Sequence, residues 1–248
     1  MIATASKPLL LCGLLAALTL HFMAYVESSQ RFSIAHIAVK GNTRVTAIEL
    51  IAKSGINEGE SIFGFSLAGS ASAIREIPWV CEARIARRFP NEVLIEITER
   101  EPVALVLSRG LFYIDGEGKV LEKFDSSERM DVPIVTAEHL PPLKAGDLMK
   151  TDGATDALEI IRAMNAMNVL EAIRISEINL DDPTNVLLIA EQSGANILMG
   201  SGDFRGKLWR LATVAEAINR NKKLQIANLE RMDMRFETIV PVKFKGNS

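Results

Sequence analysis

The sequence predicts an α+β chain: a single N-terminal transmembrane helix, a compact β-α-α-β-β unit, then a strand-rich β domain with flanking helices. Three observations predict it. Residues 9–26 form an almost unbroken apolar run. Beyond residue 30, short segments alternate apolar and polar residues with a period of two, and Gly, Pro, Asn or Asp bound them. Between them lie a few stretches with apolar residues at helical spacing. The 248 residues, 48% of them hydrophobic, suffice for two modest domains and a membrane segment.

The apolar run is interrupted only by Thr19 and His21. At ~1.5 Å per residue it extends roughly 27 Å, close to a hydrocarbon core of about 30 Å. Lys7 and the α-amino group precede it and Glu27 follows, which favours a cytoplasmic tail at 1–8 and the bulk outside. A cleaved signal peptide is the alternative, but its apolar core is shorter, about 7–15 residues, and Ala24-Tyr25-Val26 is a poor cleavage site.

The first folded unit is placed at 31–100. Residues 31–40 read as a strand with Ile37 and Val39 on one face, stopped by Gly41-Asn42. Thr46-Ala47-Ile48-Glu49 has capping-box spacing. Ile48, Ile51 and Ala52 then mark a short helical stripe that ends at Ser54-Gly55. A glycine-containing loop at 58–65 leads to a second helix, with Leu67, Ala71, Ile74 and Ile77 on one side and a stop at Pro78. A hairpin follows. Its first strand alternates Cys81, Ala83 and Ile85 with Glu82, Arg84 and Ala86; its second alternates Val93, Ile95 and Ile97 with Glu92, Glu96 and Thr98. Phe89-Pro90-Asn91-Glu92 supplies the turn. Arg84, Arg87 and Arg88 make a basic group on or beside the first strand. They read either as a solvated face balanced by Glu82 and Glu96, or as a docking surface for another envelope protein or anionic lipid.

The second domain is placed at 101–248. Residues 103–107 are β-rich, and 112–120 read as strand, turn, strand. Asp115 and Glu117 belong to that turn, since a calcium loop needs further oxygens and a distant glutamate. Val132-Pro133-Ile134-Val135 is a short strand whose proline places it at an edge or a strand start. Residues 153–168 carry Ala157, Ile161, Met164 and Met167 near one side of a helix. Strands follow at 173–180, 186–190 and 196–199, then a helix with Leu208, Leu211, Ala215 and Ile218 on its core side. Residues 238–244 read as a final edge strand, Val240, Val242 and Phe244 alternating against Ile239 and Lys243.

Several function classes recede at this level. The net charge of -3 gives no basic surplus for nucleic acid. Two cysteines, Cys12 and Cys81, and three scattered histidines imply neither a disulfide framework nor a metal site. No cofactor is expected. Gly200-Ser201-Gly202-Asp203-Phe204-Arg205-Gly206 resembles a dinucleotide fingerprint, but its third glycine comes one position late, so the glycines read as a turn and Asp203 as a helix cap. Gly64-Phe65-Ser66-Leu67-Ala68 lacks the second glycine of a nucleophile elbow. Glu99 and Glu101 flank a strand end and read as solubilising charges, not as an acid/base pair. No catalytic residue is nominated.

The order β-α-α-β-β just outside one membrane anchor resembles a POTRA domain. The wording of Ile37-Ala38-Val39-Lys40-Gly41-Asn42, Ser61-Ile62-Phe63, Ile77-Pro78-Trp79-Val80, Arg88-Phe89-Pro90-Asn91 and Glu99-Arg100-Glu101-Pro102 resembles the bacterial FtsQ/DivIB cell-division family. Met199-Gly200, Lys207-Leu208-Trp209-Arg210-Leu211 and Met232-Asp233-Met234-Arg235-Phe236 extend the likeness to the C-terminal domain. Outer-membrane POTRA proteins carry a large barrel instead; about 150 residues follow Pro102, without a run of ~10-residue amphipathic strands.

The resemblance implies a non-enzymatic division scaffold of the cell inner membrane, single-pass with a cytoplasmic N-terminus, acting at the division septum. It implies that the C-terminal edge accepts a strand from the coiled-coil partner FtsB, which travels with FtsL. Phe236 would be an aromatic anchor, and Thr238, Ile239, Val240 and Val242 the pairing surface. The POTRA unit would meet upstream division proteins, and the complex would help control septal peptidoglycan synthesis. Pro241 departs from an ideal pairing strand because it has no N–H. Two rival readings remain: a general POTRA-type envelope chaperone, and an anchored extracytoplasmic enzyme.

Overall fold

The protein is described by a computed structural model covering residues 12–21, 25, 29–125, 127, 130–167, 172–182, 184–221 and 223–246. Residues 12–21 are helical, with Leu14, Leu15, Leu18 and Leu20 exposed. Among the described residues no helix is long and apolar enough to cross a membrane. The tail expected at 1–8 and parts of the expected span, 9–11, 22–24 and 26, lie outside the described residues. The chain divides into two compact units at Arg100/Glu101.

The first unit is built on a three-stranded sheet of order β1-β3-β2, comprising β1 (His36–Lys40), β2 (Val80–Arg88) and β3 (Glu92–Glu99). β1 runs parallel to β3, and β2 is antiparallel to it. Two short helices, α1 (Ala47–Ser54) and α2 (Leu67–Ile74), lie between β1 and β2 in the chain. Thr46 Oγ1 accepts the Glu49 N–H at 3.2 Å and Gly55 ends α1 in the left-handed region. β1 is shorter than the expected 31–40, because residues 30–32 make a 3-10 turn and Ile34 N donates instead to Glu60 O.

Two apolar faces differ from expectation. In α1 the buried side is Leu50 and Ser54, while Ile48 is 82% exposed. Ser54 tolerates burial because its Oγ donates to Ile51 O and accepts from Ile56 N. In β2 a register shift between Val80 and Glu82 inserts an extra residue, so Cys81 turns outward while Val80 and Ala83 stay inside.

Gly41 is required where β1 ends. Its φ is +83°, and a Cβ there would lie 2.0 Å from Ile97 O. Beyond it, one Glu99 carboxylate gathers the backbone N–H groups of Thr43, Arg44 and Val45 at 2.8–3.0 Å. Burial alone would raise the Glu99 carboxyl. Those three donors and the Arg44 charge outweigh it and hold the group below its usual value.

Among its described residues the second unit is one nine-stranded sheet, β12-β11-β10-β9-β8-β7-β4-β5-β6. Its strands are β4 (Pro102–Leu107), β5 (Leu111–Asp115), β6 (Val120–Lys123), β7 (Ile134–Thr136), β8 (Ile175–Asn179), β9 (Val186–Ala190), β10 (Asn196–Gly200), β11 (Leu229–Asp233) and β12 (Val242–Phe244). Three parallel pairs interrupt the antiparallel ones: β4 with β7, β7 with β8 and β10 with β11, the last two joined by α3 (Ala154–Met167) and α4 (Phe204–Arg220). The helices pack on each other and on the sheet through Ala157, Ile161 and Met164 of α3 and Leu208, Leu211 and Ala215 of α4. β7 is central, between β4 and β8, so Pro133 marks a strand start. The Asp115 turn closes on itself: Asp115 Oδ1 accepts from Glu117 N at 2.9 Å and Lys119 N at 2.8 Å.

Candidate partner-binding edge

Among the described residues β12 is the last strand of the nine, so one of its two sides has no neighbour in the sheet. It is antiparallel to β11, with Met232 opposite Val242 and Arg231 opposite Lys243. Asp233 N donates to Pro241 O at 3.0 Å, and Lys245 N donates to Asn228 O at 2.8 Å. In an antiparallel strand the N–H and C=O of one residue point the same way and alternate along the chain. Residues 241, 243 and 245 therefore address β11, and those of Val242 and Phe244 turn toward the open edge.

This alternation settles the place of Pro241. Its missing N–H lies on the inner side, facing Asp233, so the outward row loses no donor. The same absence explains why the regular strand is shorter than the expected 238–244: no second bond is available to carry the ladder past Asp233. Thr238 and Ile239 precede the regular pairing and are exposed, Ile239 at 62%. Val240, Val242 and Phe244 are half-buried against the core, while Lys243 reaches Glu230 at 2.5 Å.

Phe236 stands between the two strands, 48% exposed, on a turn held from three sides. Arg235 donates Nε and Nη2 to the two oxygens of Asp233, and its own N–H also reaches Asp233 Oδ1 at 3.2 Å. Asp233 is buried, and the Arg235 hydrogen bonds hold its carboxyl below the usual range. Gly200, at φ +62°, lies under the Arg235 side chain, where a Cβ would come within 3.0 Å of Cγ. Arg210 Nη2 approaches Met234 O at 3.4 Å. The sequence shows Asp233, Arg235 and Phe236 side by side but not the clamp between them. The readable signal was an acidic and a basic residue two apart, immediately before an aromatic.

In the first unit, the three nominated arginines do not form one basic surface. Arg84 and Arg88 share the outer face of β2; Arg84 pairs with Glu82 at 3.2 Å and Arg88 with Glu92 at 3.4 Å. Arg87 points the other way. Its Nε and Nη2 donate to the carbonyls of Ile62 and Phe65 at 2.6 and 2.8 Å, and its guanidinium lies 5.0 Å from the Phe65 ring. Period-2 counting from Ala83 and Ile85 would have assigned it to that inner face.

The glycine loop before α4 is a cap. Asp203 Oδ1 accepts the Gly206 N–H at 3.2 Å, and Lys207 Nζ donates to Ser201 O at 2.7 Å. Among the described residues, no group of three or more His, Cys, Asp or Glu side chains could hold a metal ion.

Comparison with known proteins matches this architecture. A family model described as "POTRA domain, FtsQ-type" matches residues 32–100. A second, "Cell division protein FtsQ/DivIB, C-terminal", matches residues 104–235, more than half of the chain. The chain belongs to the FtsQ/DivIB family of cell division proteins. Among its relatives is a protein named cell division protein FtsQ from Syntrophotalea carbinolica, 28% identical over 202 residues, covering 82% of this chain and 72% of the relative. Its namesake from Geotalea daltonii is 27% identical over 212 residues, 86% and 76% of the two chains, and that from Myxococcus fulvus 27% over 204 residues, 82% and 71%. The C-terminal family match stops at Arg235, within the Asp233–Arg235 clamp and one residue before Phe236. In FtsQ/DivIB terms, the first unit is the POTRA domain and the second is the C-terminal domain with the open β12 edge.

Proposed function

We propose that this FtsQ/DivIB-family protein is a non-enzymatic scaffold of the bacterial divisome. Residues 9–26 anchor it in the inner membrane with the N-terminus in the cytoplasm. Its POTRA domain meets upstream division proteins, and its β12 edge accepts a strand from FtsB in the FtsB–FtsL complex. Scaffolding of this kind works by raising the effective concentration of partners at one place on the membrane and needs no bond chemistry. In this way it helps control septal peptidoglycan synthesis.

The observation that carries the reading is the β12 edge itself. An edge strand offers a row of unused N–H and C=O groups, and a partner strand gains affinity from them and specificity from alternate side chains. Val242 and Phe244 present that row, and Phe236 stands exposed at its start, where it can cover an incoming apolar side chain.

The test is a titration of FtsB–FtsL into the protein and into its Phe236→Lys and Val240→Lys variants, with thermal melts alongside. Both variants should lose FtsB binding, and Phe236→Lys should keep the parent melting temperature because its ring is half exposed. Unchanged affinity in a folded Phe236→Lys protein would move the site elsewhere.

A further inference from the structure

Three phenylalanines far apart in the sequence meet on the POTRA domain. The Phe32 and Phe63 rings lie 5.6 Å apart, edge to face, and Phe63 and Phe89 also lie 5.6 Å apart, at 32°. Backbone bonds fix their meeting: Ile62 N donates to Phe32 O, Ser33 bridges Ser61, and Ala35 N donates to Asn91 O beside the hairpin tip. Yet the rings are not core. Phe89 is 62% exposed and Phe63 37%. Three linked aromatics in water are a cost unless something covers them.

Their place in the chain says what does. Phe32 follows the end of the apolar run at Val26 by about six residues, which reach at most roughly 20 Å even fully extended. The cluster is therefore tethered close to the outer face of the bilayer in which that run sits, and the interfacial layer is where aromatic rings are favoured. The charges near these phenylalanines in the sequence are mixed, Arg31 and Arg88 against Glu58, Glu60 and Glu92, with Arg88 paired to Glu92 and Arg87 committed to backbone carbonyls. Charge then gives little net pull toward anionic headgroups, and the attraction is apolar.

We infer that Phe32, Phe63 and Phe89 insert into the membrane interface and seat the POTRA domain on the bilayer surface. This rests on the anchor reading of residues 9–26. It gives the POTRA domain a preferred orientation, with the hairpin tip toward the lipid and the free side of β2 running away from it.

The experiment places the full chain carrying Phe89→Trp in phosphatidylcholine vesicles with bromine high on the acyl chains, and compares its emission with that of the parent chain, whose tryptophans are Trp79 and Trp209. The added emission should be blue-shifted, quenched by bromine, and insensitive to salt. Adding Phe63→Asp should abolish the quenching while the chain still floats with the vesicles. A floating chain whose added tryptophan is unquenched overturns the inference and leaves the anchor standing. Quenching that disappears in high salt also overturns it, since charge would then be the cause. A chain that does not float removes the anchor and this inference together.

Discussion

Asp233 receives both the Nε and the Nη2 of Arg235, at 2.8 and 2.6 Å, across a single intervening residue. A bidentate guanidinium–carboxylate pair of this kind fixes orientation as well as distance. Here it closes the turn that leaves β11, and the next residue is Phe236. The clamp thus links a buried carboxylate in the sheet to an exposed ring at the edge.

Replacing Arg235 with alanine leaves the buried Asp233 carboxylate without its guanidinium partner. The expected loss is about 1–2 kcal/mol, the lower part of the range for stranding a buried polar group, since Arg235 itself is half exposed. Arg235→Lys should recover only part, because an ammonium cannot bond both oxygens in one plane. Both should lower affinity for a strand partner by freeing Phe236. Urea melts and a binding titration on the same samples check this; unaltered stability in Arg235→Ala would show that the clamp holds nothing.

Glu99 predicts a pH dependence for the POTRA domain. Its folded carboxyl lies below the usual value, while in the unfolded chain it returns to about 4.3. The stabilisation is therefore complete above the unfolded value and is lost as pH falls through the lower folded one. Glu99→Gln should melt lower than the parent at pH 7, and the gap should narrow once the pH falls below the unfolded carboxylate value of about 4.3. A gap that stays constant well below that value would mean the carboxylate charge is not what holds Thr43, Arg44 and Val45.

What was legible in the sequence was mostly local. The Thr46 and Asp203 caps, the Asp115 turn and the Gly55 stop each depend on residues within a few positions of one another, and the structure has all four. Cys81 was misplaced because the extra residue between Val80 and Glu82 is set by pairing with β3, which alternation within β2 does not reveal. Likewise, the central position of β7 arises from β4 and β8, strands about 30 and 40 residues away in the chain, so Pro133 alone left edge and start equally open. At the edge, the family resemblance pointed to Phe236 through Val242, while the division into inner and outer backbone groups required two observed bonds, Asp233 to Pro241 and Lys245 to Asn228.

Gly41 gives a sharp packing test. A left-handed non-glycine residue costs about 1–3 kcal/mol, and here the added methyl would also collide with backbone, Ile97 O, which cannot swing aside as a side chain would. Gly41→Ala should therefore destabilise the POTRA domain by more than the backbone term alone, read as a lowered urea midpoint. Gly246→Ala, where a methyl meets nothing within 4 Å, is the control and should be neutral.

The alternation along β12 separates binding from folding at adjacent positions. Val242→Pro removes an N–H that faces the open edge and leaves the β11 ladder intact. Lys243→Pro removes an inward N–H, and with it a bond to β11 and the ion pair with Glu230. Val242→Pro should thus bind a partner strand at least about tenfold more weakly, roughly the net value of one hydrogen bond plus the ring's clash with the incoming chain, while losing only the packing of a half-buried valine. Lys243→Pro should melt lower than Val242→Pro and keep more of the affinity. If both variants lost stability equally and neither lost more affinity than the other, the outward row of Val242 and Phe244 would not be the pairing surface.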